Sequence, residues 1–179
     1  MIGKRFKILA MAALCLALSG CAGLANRVQT SMYDDEGLIA QEADSYTALI
    51  FNGSVQDEMS FDGFTGSCSV LDVSVPVGGG KLLIEYDVSV SKGDFKIVLV
   101  QGAKQVEAVC EGTGEGTRTF DLEAGNQVVK VVGDGAASTV ALGFKATEGV
   151  TARPADVFSE GWPLEDGEPE PLQLDALDV

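Results

Sequence analysis

Few residue types in this 179-residue chain can do chemistry: four cysteines at 15, 21, 68 and 110, a large excess of carboxylates, and no histidine. Without imidazole there is no Ser-His-Asp or Cys-His nucleophile system, no histidine metal site and no access to the commonest general base. Ser89-Val90-Ser91-Lys92 has the spacing of a lysine-activated serine nucleophile, yet such a serine should open a helix, and this one closes an alternating apolar run. "PVGGGKL" at 76 to 82 lacks the leading glycine and the trailing hydroxyl of a phosphate loop, so it reads as a hairpin. Paired-carboxylate hydrolysis of a glycoside needs two acids about 5 to 10 Å apart in an aromatic cleft, and one tryptophan with three tyrosines offers little stacking surface. Asp34, Asp35 and Glu36 cluster in sequence, as do Asp57, Glu58 and Asp62, but neither group has calcium-loop spacing and both suit solvated acidic loops. No cofactor and no metal site are expected.

Cys21 differs from the other cysteines in what precedes it. Lys4, Arg5 and Lys7 lead into an apolar run from Ile8 to Leu18, and Ser19-Gly20 then lead to the cysteine. Eleven residues rise roughly 16 Å as a helix, about half the hydrocarbon core of a bilayer, so the run suits an export signal better than a membrane span. Leu18-Ser19-Gly20-Cys21 resembles the lipobox of bacterial lipoproteins. That resemblance implies that the Cys21 thiol takes a diacylglycerol through a thioether, that cleavage falls before it, and that the new amino terminus is acylated. It covers the first 21 residues and says nothing of the domain behind them. A conventional cleavage site beside an incidental cysteine is the other reading.

Removal of residues 1 to 20 leaves 159 residues, enough for one domain with flexible ends. Nine basic and 27 acidic residues then remain, a net charge of −18 that repels nucleic acid and anionic headgroups, so nucleic-acid binding is excluded. With Cys15 lost and Cys21 committed to lipid, Cys68 and Cys110 are an even pair in an exported chain. They read as one disulfide stabilising by about 4 kcal/mol on the chain-entropy model, or else as two buried thiols acting as small hydrophobes.

The elements behind these residues are strands. From Tyr46 onward, short runs of Val, Ile, Leu, Phe and Thr are broken by glycine every eight to twelve residues. Leu82, Ile84, Tyr86, Val88 and Val90 share one face of a period-two run, and Phe95, Ile97 and Leu99 alternate likewise, as do Val140, Leu142 and Phe144. Strands are expected near 67–75, 81–90, 94–100, 105–110, 117–122, 127–132 and 139–145, with one or two more from 47 to 64. Turns are expected at "VGGGK", "SKGD", "GAK", "EGTGEGT", "EAGN" and "GDGAAS". The pattern predicts an all-β fold, an antiparallel β-sandwich of jelly-roll-like form. "TRTFDLEAGNQVVKVVGDGAASTVALGFK" at 117 to 145 resembles the closing strands of bacterial extracellular β-sandwich modules, a class of sugar binders, adhesins and structural domains.

Four regions follow: a lipoprotein signal peptide at 1–20, an acylated N-terminus and disordered, flexible spacer at 21–45, the β-sandwich at 46–150, and an acidic, proline-containing tail at 151–179. Few apolar residues recur at helical spacing within the spacer, which weighs against a short helix near 38–43. After Arg153 there are eight acidic residues and no basic one, which predicts a tail unable to order itself. Within it, Phe158 and Trp162 are expected to fold back over a sandwich edge, with a partner anchor as the alternative for Trp162. The closing "LQLDALDV" is expected not to dock. The functional expectation is a non-catalytic, lipid-anchored binding or interaction protein on the extracytoplasmic side of a bacterial cell membrane or outer membrane. Its partners are the membrane, through the lipid, and an envelope protein or glycan. A small carbohydrate-binding or carbohydrate-active surface module, and a structural component of an envelope assembly, are the rivals.

Overall fold

Nine strands form one large, unclosed sheet, antiparallel except for its short last strand, seen in a computed structural model that describes Gln29, residues 31–102, 105–155, Phe158 and 170–177. Three long strands carry it: β3 (Glu58–Val75), β4 (Gly80–Gln101) and β7 (Gly125–Ala146). β7 lies between the other two along most of its length. The outer edge of β3 is lined in turn by β2 (Ile50–Asn52), β1 (Ser45–Thr47) and β8 (Thr151–Pro154). The outer edge of β4 takes β6 (Gly114–Leu122) along its first half and β5 (Gln105–Glu111) along its second.

The sheet becomes sandwich-like because its long strands turn a corner together. Register breaks fall between Phe61 and Gly66 on β3 and between Val90 and Asp94 on β4, both opposite residues 133–138 of β7. Bulges at one level let a strand pass from one layer to the next, as in orthogonal β packing. Gly93 shows why the sequence bends there: its φ is +68°, and a methyl group would lie 2.5 Å from the Asp134 and Gly135 carbonyl oxygens. The two halves close on one core that takes Leu82, Ile84 and Val140 from one side of the corner and Leu71, Ile97, Leu99, Val129 and Val131 from the other. Phenylalanines fill the bend, with Phe61 5.2 Å from Phe64 and 5.5 Å from Phe95 between ring centroids.

The all-β, antiparallel, sandwich-like expectation holds, but two of its turns do not. "SKGD" and "GDGAAS" lie inside β4 and β7 as corners, so the runs 81–90 and 94–100 are one strand, and 127–132 and 139–145 are another. A glycine with positive φ serves a bulge as readily as a hairpin. "VGGGK" is a tight turn, closed by the Gly79 N–H donating to the Pro76 carbonyl at 2.9 Å, but it is not the expected hairpin: β3 and β4, which it joins, do not pair with each other, and β7 stands between them.

The disulfide expected between Cys68 and Cys110 is not formed; both are free, buried thiols. Register explains it. Cys68 pairs with Val131, Val131 with Ile97, and Ile97 with Cys110, so two strands stand between the sulfurs. Three strand spacings amount to roughly 14 Å along the sheet, about twice the Cα separation a disulfide tolerates. Each thiol donates instead to a nearby carbonyl, Cys68 to Ser69 and Cys110 to Gly112.

Both ends of the described chain are seated on the sandwich. Residues 31–44, read above as spacer, form a 3₁₀ turn (Met32–Asp34) and a single helical turn, α1 (Glu36–Ile39), and cover Val98, Val100 and Val132 on the sheet's outer face with Met32 and Ile39. The region read as tail begins as β8, paired with Leu71–Ser74, and Phe158 is fully buried with its ring 4.5 Å from that of Phe51. The closing segment, expected not to dock, adds β9 (Asp175–Ala176) in parallel to Lys145–Ala146 of β7. Trp162 and Cys21 lie outside the described residues.

Candidate functional site

The motifs singled out for chemistry are used for structure. Ser91 of the serine–lysine motif donates its hydroxyl to the Ala137 carbonyl at 3.1 Å, pinning the β4 corner to β7. Asp35 caps α1, its Oδ1 accepting from the Leu38 N–H at 3.0 Å, so the acidic run 34–36 is a helix start. Asp57 accepts from the Ser54 hydroxyl at 3.4 Å, while Glu58 and Asp62 sit on β3. Among the described residues, no three His, Cys, Asp or Glu side chains are grouped to hold a metal ion. No helix among them is long and apolar enough to cross a membrane.

Two thiols remain to be weighed as nucleophiles. Burial pushes the Cys68 thiol well above its ordinary range, with the Asp44 carboxylate adding to the rise, and burial then Glu111 do the same at Cys110. A thiol kept protonated and inside the core is a poor nucleophile. Their place in a lateral row with Val131 and Ile97 is that of core residues.

The outer face of β4, β6 and β7 carries an open recess. Strand alternation places Glu85 and Asp87 on it, and pairing sets Asp87 opposite Glu115 and Glu85 opposite Thr117 and Gly143. Ala141 and Gly143 leave a groove of about 630 Å³, with Tyr86, Gly116 and Leu142 also in its lining. Glu85 accepts from the Lys145 ammonium at 2.9 Å, and that bond, with the charge behind it, raises the lysine's pKa. Asp87 and Glu115 are exposed, lacking the apolar enclosure that a general acid of paired-carboxylate hydrolysis uses. The groove's chemistry is acceptance of hydrogen bonds and attraction of cations or hydroxyls.

A second polar cluster was not foreseen. Lys130, 2% exposed, projects from β7 beneath the N-terminal segment, donates to the Gln41 carbonyl at 2.7 Å and lies 3.4 Å from the Asp44 carboxylate. Asp44 is held in turn by the Ser69 N–H (2.9 Å) and hydroxyl (2.8 Å). Removing one member of such a pair strands the other's charge. Tyr33 adds a peripheral clamp, its hydroxyl donating to Glu111 at 3.1 Å and the Lys96 ammonium lying 4.5 Å from its ring centre. The signal in the sequence was a lysine inside "VVKVV", a charge in an apolar run that demands a partner.

No protein-family model matches the chain, and no curated protein is similar to it.

Proposed function

We propose that the chain is a lipid-anchored, non-catalytic interaction protein of the bacterial cell envelope, held at a membrane through Cys21 and presenting its acidic sandwich on the extracytoplasmic side. The observation that carries this reading is Leu18-Ser19-Gly20-Cys21, following three cations and an eleven-residue apolar run. Two acyl chains, at about 0.8 kcal/mol per buried methylene, give the two hydrophobic signals that stable anchoring requires. The charge pattern is in keeping with it, since a strongly acidic domain is repelled by anionic headgroups and is held at the surface by the lipid alone. Wild type and Cys21→Ser, expressed in the bacterial host and partitioned into detergent, test it: wild type enters the detergent phase and the variant stays in the aqueous one. Equal partitioning of both forms overturns the reading.

A carbohydrate-binding module is the second reading, and the groove favours it. Glu85, Asp87, Glu115 and Thr117 supply acceptors for sugar hydroxyls along it. A glycan array probed with wild type and with Asp87→Ala separates the two readings: a glycan retained by wild type and lost by the variant favours the module, and uniform silence favours a protein partner.

A further inference from the structure

The edge of β7 changes hands near its end. β3 covers it as far as Ala141, where Glu58 makes the last pair. From Leu142 to Ala146 the edge is served only by the C-terminal segment among the described residues, through a two-residue parallel ladder, Lys145 with Asp175 and Ala146 with Ala176. The Leu177 N–H donates to the Ala146 carbonyl at 2.9 Å, and the Leu172 N–H donates to the Ala152 carbonyl at 2.8 Å. Leu172 and Leu174 pack partly buried against the core, while the residues between and beside them are exposed.

Open recesses flank this segment on both sides. One recess of about 440 Å³, open to solvent, is lined by Leu172 and Leu174 together with Val55, Leu142 and Phe144. Another, about 580 Å³, lies between Leu174, Ala176 and Leu177 and the turn at 147–150. A parallel ladder is bonded slightly less well per residue than an antiparallel one, and an unpaired edge is a template for any extended chain. Charge is matched at the site: Asp175 adds to the rise in the Lys145 pKa, after the larger effect of Glu85.

We propose that Leu142–Ala146 of β7 is a strand-acceptor site, occupied reversibly by the chain's own C-terminal segment. Its partner is an extended protein segment with leucine-sized side chains two residues apart, an acid after the second, and then a side chain larger than alanine. The resident segment supplies the pattern, Leu172-x-Leu174-Asp175-Ala176, and the recess beside Ala176 supplies the last requirement. The proposal deepens the interaction reading by giving the partner's chemistry, and it does not depend on lipid: a chain that binds the segment but enters no detergent phase keeps the acceptor and loses the anchor.

The test uses the full mature chain, as wild type and as Leu172→Asp with Leu174→Asp, and a fluorescent peptide of residues 170–177 read by anisotropy. The released variant should bind at least tenfold more tightly than wild type, and the peptide carrying Ala176→Phe more tightly still. Equal binding by the two proteins, or binding by neither while their melting curves agree, overturns the proposal. Should the variant not fold, hydrogen exchange on wild type decides. Amides of Leu172 and Leu177 that open without global unfolding support a reversible strand, and amides that open only with it refute one.

Discussion

The two ends of the described chain are attached to the same sandwich by different means. The N-terminal segment is fastened by an ion pair between buried Lys130 and partly exposed Asp44, by two buried apolar side chains, Met32 and Ile39, and by the Tyr33 clamp. The C-terminal segment divides in two: Phe158 is as deeply held as any core residue, whereas Leu172 to Leu177 rest half-exposed or exposed on a sheet edge with open recesses beside them. A chain fastened by burial is part of the domain, and a chain fastened by a few edge hydrogen bonds is a ligand that happens to be covalently attached. The comparison locates stiffness at the end leading back to Cys21 and exchange at the other.

Phe158→Ala should have the largest effect, about 3 to 5 kcal/mol, because it removes a whole aromatic side chain from the core. A loss well under 2 kcal/mol in thermal unfolding would move Phe158 to the loose side of the comparison. Lys130→Ala should cost about 3 kcal/mol, the low end for breaking a buried pair because the Asp44 side chain keeps 29% exposure. Pairing Lys130→Met with Asp44→Leu should recover most of that loss, and no recovery would show that the lysine's other bond, to Gln41, dominates. Gly93→Ala should cost about 1 to 3 kcal/mol through its positive φ and the opposing carbonyls. Leu174→Ala, on the loose end, should change global stability by less than about 1 kcal/mol while speeding exchange of the Leu177 amide.

Alkaline pH acts on the fastened end as well. Burial, then the Glu111 charge, raises the Tyr33 pKa in the folded state. Its contribution is complete below the unfolded value of about 10 and declines as pH rises above it, because the unfolded chain then releases the proton more readily. Thermal unfolding followed from pH 8 to 11 should fall more steeply for wild type than for Tyr33→Phe; parallel curves would remove the clamp from the account.

What could be read in the sequence was local. The alternation Leu82, Ile84, Val88 against Glu85 and Asp87 placed core and surface correctly on β4, because period two depends only on neighbours along one strand. The Phe158 fold-back was also legible, as a large ring with nowhere polar to go. Properties set by partners far along the chain were not. Whether Gly93 and Gly135 turn a hairpin or a corner depends on Gly66 and Phe61 across the sheet, some 30 and 70 residues earlier. The separation of Cys68 from Cys110 depends on β7 and β4 entering between them. Docking of β9 depends on β3 beginning at Glu58 and no earlier, which leaves an edge for "LQLDA" to find.

The thiols carry that lesson into a simple assay. Denaturation without reductant, followed by iodoacetamide, should alkylate both Cys68 and Cys110, and the native protein should resist the reagent because burial keeps both thiols protonated. A peptide pair joined through the two cysteines would contradict the register across four strands.

The envelope role is tested most directly by intact-mass and N-terminal analysis of the native protein taken from its host's membranes. The account predicts a mature chain that begins at Cys21 and carries the added mass of a diacylglycerol on that sulfur. An unmodified Cys21 thiol, or a mature chain beginning anywhere else, contradicts it.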